Sequence, residues 1–278
     1  MRFVRYGAPG KERPGALDND GVIRDLSSLT SDIDGEFLAS KIFAELDNNA
    51  IKNLPVVDAG ERLGPPVAGV TKVIGFGVNY HSMVAERKMG TPETPILFFK
   101  APGTLCGPTD TVVLPEGLTE TVWEVEVGVV IGKTARNVNE SEAMSHIAGY
   151  LTANDLTEVS FGRHKSGQWW LGKNFDTFTP IGPWLVRASE INDPYELELH
   201  LELDGKPFQR ERAGGMIFKI DELVSFASRH MTLVPGDIIL TGSPAGVGSN
   251  LEPKVFLQKG NVMTLGVEGL GSQRSVIA

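Results

Sequence analysis

A strand-rich α+β fold, with a small β unit at residues 1–67 ahead of a larger body at 68–278, is what this sequence predicts. Three observations carry that prediction. Short apolar runs bounded by Gly, Pro, Asn and Asp outnumber segments of helical period. In the larger body only two stretches, 140–148 and 220–229, repeat with the helical period. The chain also has no repeat of fixed length and no low-complexity tract, and its strands do not alternate with long helices as βαβ units would.

The elements follow in order. Runs 3–6 and 14–17 flank a Gly/Pro/Lys turn, and Asp18-Asn19-Asp20-Gly21 turns the chain into 22–26, a short meander. Residues 37–46 have a helical pattern, and the Gly/Pro-rich stretch 60–66 reads as a linker. Strands are expected at 73–78, 96–99, 111–114, 122–131, 197–203, 237–241 and 262–267. Another apolar run ends in the polar pair Asn154-Asp155. The helix at 220–229 carries Asp221 and Glu222 near its start and Arg229 and His230 near its end, which suits the helix dipole.

Composition excludes several functions. Net charge is −9 with no Lys- or Arg-rich run, so neither nucleic acid nor an anionic membrane surface is an expected partner. No apolar stretch approaches 18 residues, and the first six residues are not a signal peptide. Cys106 is the single cysteine, which precludes an internal disulfide and fits a reducing, cytoplasmic location.

The richest stretch is Trp123-Glu124-Val125-Glu126-Val127-Gly128-Val129-Val130-Ile131. Its alternation predicts one apolar face, which puts Glu124 and Glu126 side by side on the other. Paired carboxylates repel, and a divalent cation relieves the repulsion; two solvated acids on a half-exposed strand are the plainer reading. Asp155 is a third candidate acid, or simply a turn aspartate. Three carboxylates without cysteine or paired histidines select Mg²⁺ or Mn²⁺ over zinc. Lys100 and Lys173 are either surface charges or partners for a substrate carboxylate. The loop from Thr241 to Gly248, with Gly242 and Ser243, has the backbone N–H groups and hydroxyls of an anion cradle and equally the composition of an ordinary turn. It lacks the Gly-Lys-Ser/Thr of a P-loop, and Gly75-Phe76-Gly77 lacks the third glycine of a dinucleotide fingerprint.

Taken in order, Gly77-Val78-Asn79-Tyr80, Phe99-Lys100-Ala101, Trp123-Glu124-Val125-Glu126, Asn154-Asp155, Gly172-Lys173-Asn174-Phe175-Asp176, Gly182-Pro183-Trp184 and the segment from Pro235-Gly236-Asp237 to Gly248 resemble the fumarylacetoacetate hydrolase family. Arg5-Tyr6-Gly7, Arg13-Pro14-Gly15 and Gly64-Pro65 resemble the branch with hydrolases of 2,4-diketo-3-deoxy sugar acids and sequences labelled ureidoglycolate lyase. The resemblance implies a mixed β-sandwich roll, a homodimer, and Mg²⁺ or Mn²⁺ held by Glu124, Glu126 and Asp155. It implies that Lys173 and the 241–248 loop face a 2-keto acid substrate. The reaction implied is hydrolysis of a carbon–carbon bond in a 2,4-diketo acid, giving pyruvate and a carboxylic acid, with the metal as Lewis acid.

The chain departs from the family pattern at the base. Hydrolytic members have Asn-Tyr-x-x-His-x-x-Glu, whereas here Met83 takes the histidine position, Glu86 is kept, and His81 lies two residues early. Methionine accepts no proton, so His81 with Glu86 is the expected substitute pair. Val159 stands where many members have arginine, leaving Arg163 or His164 as stand-ins, and Ser243 replaces threonine while keeping the hydroxyl. Loss of the base leaves the metal untouched, so decarboxylation of an oxaloacetate-like acid or keto–enol isomerisation are alternatives, and a fold-retaining member without turnover is a third.

Overall fold

The computed structural model describes residues 1–163 and 167–278, with Arg163 in backbone only. It opens with the meander β1 (Arg2–Tyr6), β2 (Arg13–Leu17) and β3 (Ile23–Asp25). Three one-turn helices follow: α1 (Gly35–Leu38), α2 (Lys41–Glu45) and α3 (Asn48–Ile51). Then come β4 (Val73–Gly77), α4 (His81–Glu86), β5 (Ile96–Lys100), the two-residue strands β6 (Leu105–Cys106) and β7 (Thr121–Val122), and β8 (Val125–Ile131). Helix α5 (Glu140–Ala143) leads to β9 (Ile147–Asn154), β10 (Thr157–Glu158), β11 (Thr179–Pro180) and β12 (Leu185–Arg187). The chain closes with β13 (Glu198–Leu203), β14 (Lys206–Arg212), α6 (Ile220–His230), β15 (Ile238–Leu240), β16 (Val262–Val267) and β17 (Gly271–Val276).

Two sheets make the strand-rich α+β sandwich that the sequence predicts. The larger has nine strands in the order β3-β2-β1-β12-β9-β8-β15-β4-β5, and the smaller has four in the order β14-β13-β16-β17. The larger sheet is mixed, because β15 runs parallel to β4 and antiparallel to β8. The smaller sheet lies against β8 and β9. Val125, Val127, Val129 and Ile131 pack there with Leu199, Leu201 and Leu265, and with Leu223 and Val224 of α6.

The other face of β8 is covered as well. Val130 belongs to a second cluster with Phe3, Phe37 and Leu38 of the N-terminal residues. All seven residues of β8 are therefore buried, where alternation alone predicted one apolar face. Residues 1–67 reach this position because β1 pairs with β12, Arg2 opposite Val186 and Phe3 opposite Leu185. Arg62 then grips Asp110 through Nε and Nη2 at 2.7 and 2.6 Å. Between these parts lies a crevice of about 600 Å³ whose wall includes Cys106. That thiol is buried and donates to the Thr177 carbonyl at 3.4 Å. Burial, and then the nearby Asp110 charge, push it up to about 12.

Several elements differ from the sequence expectation for local reasons. The helix expected at 37–46 splits into α1 and α2 because the Ser40 side chain accepts from the Phe43 N–H and starts a new helix. The helix expected at 140–148 ends early, since Ile147 already pairs in β9. The strand expected at 111–114 reduces to one bridge, Val112 to Ile277. No helix among the described residues is long and apolar enough to cross a membrane.

Candidate metal centre

The antiparallel ladder of β8 and β9 sets Val125 opposite Asn154 and Glu126 opposite Ala153. It continues one step beyond the strands. The Asp155 N–H donates to the Glu124 carbonyl at 2.9 Å, and the Glu124 N–H donates to Asn154 Oδ1 at 3.1 Å. Glu124, Glu126 and Asp155 thereby converge, each offering an oxygen within 4.8 Å of the others. Strand alternation put two of these acids together; the shared ladder brings the third.

Each carboxylate has its own brace. Glu126 Oε2 accepts from the Gly242 N–H at 2.6 Å, and Gly242 adopts φ +97°. Asp155 Oδ1 accepts from Lys100 Nζ at 2.6 Å, and its Oδ2 from Lys173 Nζ at 2.6 Å. Lys173 also donates to Glu124 Oε2 at 2.8 Å and to Thr157 Oγ1 at 2.7 Å. Its ammonium lies 4.8 Å from the Phe98 ring centre.

The charges are strongly perturbed. Burial, followed by the Asp155 and Glu124 charges, pushes Glu126 well above its usual value. Burial opposes ionisation of Asp155 too, but Lys100 and Lys173 outweigh it and hold that carboxyl low. Burial lowers Lys100 despite Asp155, whereas in Lys173 the pull of Asp155 and Glu124 overcomes burial and raises it. A cluster of three acids in which buried Glu126 resists ionisation is the electrostatic setting that a divalent cation relieves. Only oxygen donors converge, which matches a hard ion such as Mg²⁺ or Mn²⁺. The residues present therefore fit such a group.

The triad floors a cavity of about 400 Å³. Lys173 and Ser243 are on its wall, with Phe76, Val78, Met83, Ile96, Phe98 and Trp169. Val78 holds φ +54°, uncommon for a β-branched residue, next to Asn79. The Asn79 amide ties three segments together, donating to the Thr241 carbonyl at 2.8 Å and the Phe218 carbonyl at 3.0 Å while accepting from the Phe218 N–H.

The other sequence candidates take several positions around the site. Lys100, expected at the substrate, is fully buried behind Asp155. Thr241 turns its hydroxyl into the sheet and donates to the Val127 carbonyl at 2.9 Å. Ser243 Oγ donates to the Val125 carbonyl at 2.8 Å and accepts from Gln209 Nε2 at 2.9 Å. His81 is exposed and is not among the residues on the cavity wall, which Met83 does reach. The reason is helical phase: at about 100° per residue, positions 81 and 83 point to nearly opposite sides of α4. Glu86 accepts from the Gly246 N–H at 3.0 Å and from Asn250 Nδ2 at 2.8 Å, which fixes it to the 246–250 loop. The side chains of Arg163 and His164 lie outside the described residues. Val159 is on the wall.

Sequence reasoning missed Thr157 and Glu158, both on the wall and both buried. Glu158 Oε2 accepts from the Glu120 N–H at 3.0 Å and Thr121 Oγ1 at 2.9 Å, and Oε1 accepts from the Ser160 N–H at 3.2 Å. Their one signal was proximity to Asp155.

A mixed β-sandwich whose main strand pair ends in an acid-floored cavity is the class that fold and site define. The C-terminal domain profile of fumarylacetoacetate (FAA) hydrolase matches residues 72–278, and the chain belongs to the fumarylacetoacetate hydrolase family. It is 43% identical over 279 residues to 2,4-didehydro-3-deoxy-L-rhamnonate hydrolase of Sphingomonas sp. strain SKA58, spanning 100% of this chain and 96% of that one. The fumarylacetoacetate hydrolase structure from psychrophilic Exiguobacterium antarcticum matches with a TM-score of 0.88 at 29% identity, covering 100% of this chain and 99% of that one. Maleylpyruvate hydrolase from Sphingobium sp. SYK-6, solved with manganese(II) ion and pyruvate, matches with a TM-score of 0.83 at 27% identity over 100% and 99% of the two chains.

Proposed function

We propose that this protein is a divalent-metal-dependent hydrolase that cleaves a carbon–carbon bond in a 2,4-diketo acid, an acylpyruvate or 2,4-diketo-3-deoxy sugar acid, to give pyruvate and a carboxylic acid. The observation that carries the reading is the Glu124–Glu126–Asp155 triad, with Glu126 and Asp155 buried, Glu124 half-buried and Lys173 at its edge. These three acids would hold Mg²⁺ or Mn²⁺, and the bound cation would act as a Lewis acid toward negative charge developing on the 2-keto oxygen.

The protein's own groups do the rest. Lys173 is kept positive by Asp155 and Glu124 and stands ready to hold the substrate carboxylate. Lys100 keeps Asp155 ionised from behind, and the Gly242 N–H aims Glu126. Phe98 packs edge to face with Trp169 and sets its ring against the Lys173 ammonium, an apolar wall beside that charge. The relative that acts on 2,4-didehydro-3-deoxy-L-rhamnonate supports hydrolysis as the reaction.

Turnover of a 2,4-diketo acid should vanish on exhaustive treatment with EDTA and return with Mg²⁺ or Mn²⁺. Undiminished turnover in the metal-free protein would overturn the proposal. The exposed position of His81 favours one second reading, in which the same site decarboxylates or tautomerises a 2-keto acid without activating water. Solvent ¹⁸O distinguishes the two, because only hydrolysis places it in the released acid.

A further inference from the structure

Lys100 and Lys173 reach Asp155 from two separate segments. Lys100 ends β5, and Lys173 ends a short 3₁₀ turn, Trp169–Lys173. Strand β5 is the last in the nine-stranded sheet, so no further strand fixes where that turn lies. The side chain of Asn174 does so instead. Its Nδ2 donates to the Phe99 carbonyl at 3.2 Å, and its Oδ1 accepts from the Ala101 N–H. Phe99 and Ala101 flank Lys100. A residue of a parallel strand bonds its neighbour in this slanted way, to the carbonyl before the facing residue and the N–H after it. The Asn174 amide therefore takes the place of a strand residue facing Lys100.

The same group also closes the turn. Nδ2 donates to the Trp170 carbonyl at 2.9 Å, and the Asn174 N–H donates to the Leu171 carbonyl at 3.1 Å. These bonds satisfy carbonyls that the end of a helical turn would otherwise leave open, directly after Lys173. Both Nδ2 hydrogens and the Oδ1 acceptor of Asn174 are thus engaged, part on β5 and part on the turn. Lys100 Nζ and Lys173 Nζ meet opposite oxygens of Asp155, each at 2.6 Å. Where the turn docks on β5 sets where the second ammonium stands relative to the first.

Resting on the assignment of the triad as metal ligands and of Lys173 to the substrate carboxylate, we infer that Asn174 is a positioning residue for anion binding. Its amide fixes the Lys173 turn against β5 and so places the Lys173 ammonium at the edge of the triad. Asn174 acts through Lys173 and holds neither metal nor substrate itself.

Two titrations separate this role from simple closure of a strand edge. The first adds Mn²⁺ to the metal-free protein, and the second adds pyruvate to the Mn²⁺-loaded protein. In Asn174→Ala pyruvate should bind about tenfold more weakly, as loss of one well-placed charge-assisted contact predicts. Affinity for Mn²⁺ should change little, because Lys100 still holds Asp155. Asn174→Gln, which keeps the amide on a longer arm, should recover part of the loss. A merely structural side chain would lower the thermal midpoint and leave pyruvate affinity as it was, which would overturn the inference and leave the metal site standing. Equal losses for Mn²⁺ and pyruvate, or no recovery in Asn174→Gln, would overturn it as well. Absence of Mn²⁺ binding by the unaltered protein would bring down the metal reading and the inference with it.

Discussion

Asp155 is ionised inside the protein because two ammonium groups touch it, and Lys100 is the one with no access to the cavity. Replacing Lys100 with Met leaves a buried carboxylate with one cation instead of two. Unpairing a buried charge costs about 3 kcal/mol, so the urea midpoint of Lys100→Met should fall clearly. An unchanged midpoint would show that Lys100 does not secure Asp155. At this scale the sequence was most legible where a residue's type and its spacing agree. Glu124 and Glu126 share a strand parity, and Asn154-Asp155 marks a strand end. It was least legible where orientation decides. A lysine after an apolar run looks the same whether it faces substrate or backs a carboxylate. The two-residue offset between His81 and Met83 becomes decisive only once the segment is known to be helical.

At the scale of elements, the turn after β15 holds the tightest constraint on the site. Gly242 adopts φ +97°, and a Cβ there would lie 2.7 Å from the Asn79 Cβ and 3.0 Å from the Phe76 carbonyl oxygen. Gly242→Ala should lose about 2 kcal/mol to backbone strain and crowding. It should also weaken Mn²⁺ binding, since the N–H that aims Glu126 must shift. Calorimetry with the metal and thermal unfolding without it measure the two effects, and wild-type values in both would refute the constraint. Strand pattern failed where buried positions are polar. In β17 the inward residues are Gln273 and Ser275, so hydrophobic alternation is silent there. Gln273 is placed by donating to the carbonyls of Thr152, Pro180 and Gly182, contacts that exist only after folding. Strand β14, Lys206–Arg212, is nearly all polar and hides for the same reason.

For the whole molecule, the N-terminal residues are joined to the body by strand pairing and by the Arg62–Asp110 fork. Burial disfavours ionised Asp110, but Arg62 and the Gly107 N–H prevail and hold its carboxyl below the ordinary range. A folded-state value below the unfolded one adds stability that is present in full above the ordinary carboxylate range, near pH 4, and is lost as pH falls through the folded value. Asp110→Asn should therefore be less stable at neutral pH, with a difference from the parent that narrows under acid. Parallel acid unfolding curves would contradict this role. The strand-rich class was readable because turn residues punctuate the chain. The order of nine strands was not, since β1 meets β12 across some 180 residues of sequence.

Cys106 turns the crevice between these parts into a reporter. The protein has one sulfhydryl, buried at the wall of that seam and reluctant to ionise. A thiol-specific dye couples faster when the seam opens wider, so the labelling rate follows its breathing without any engineered probe.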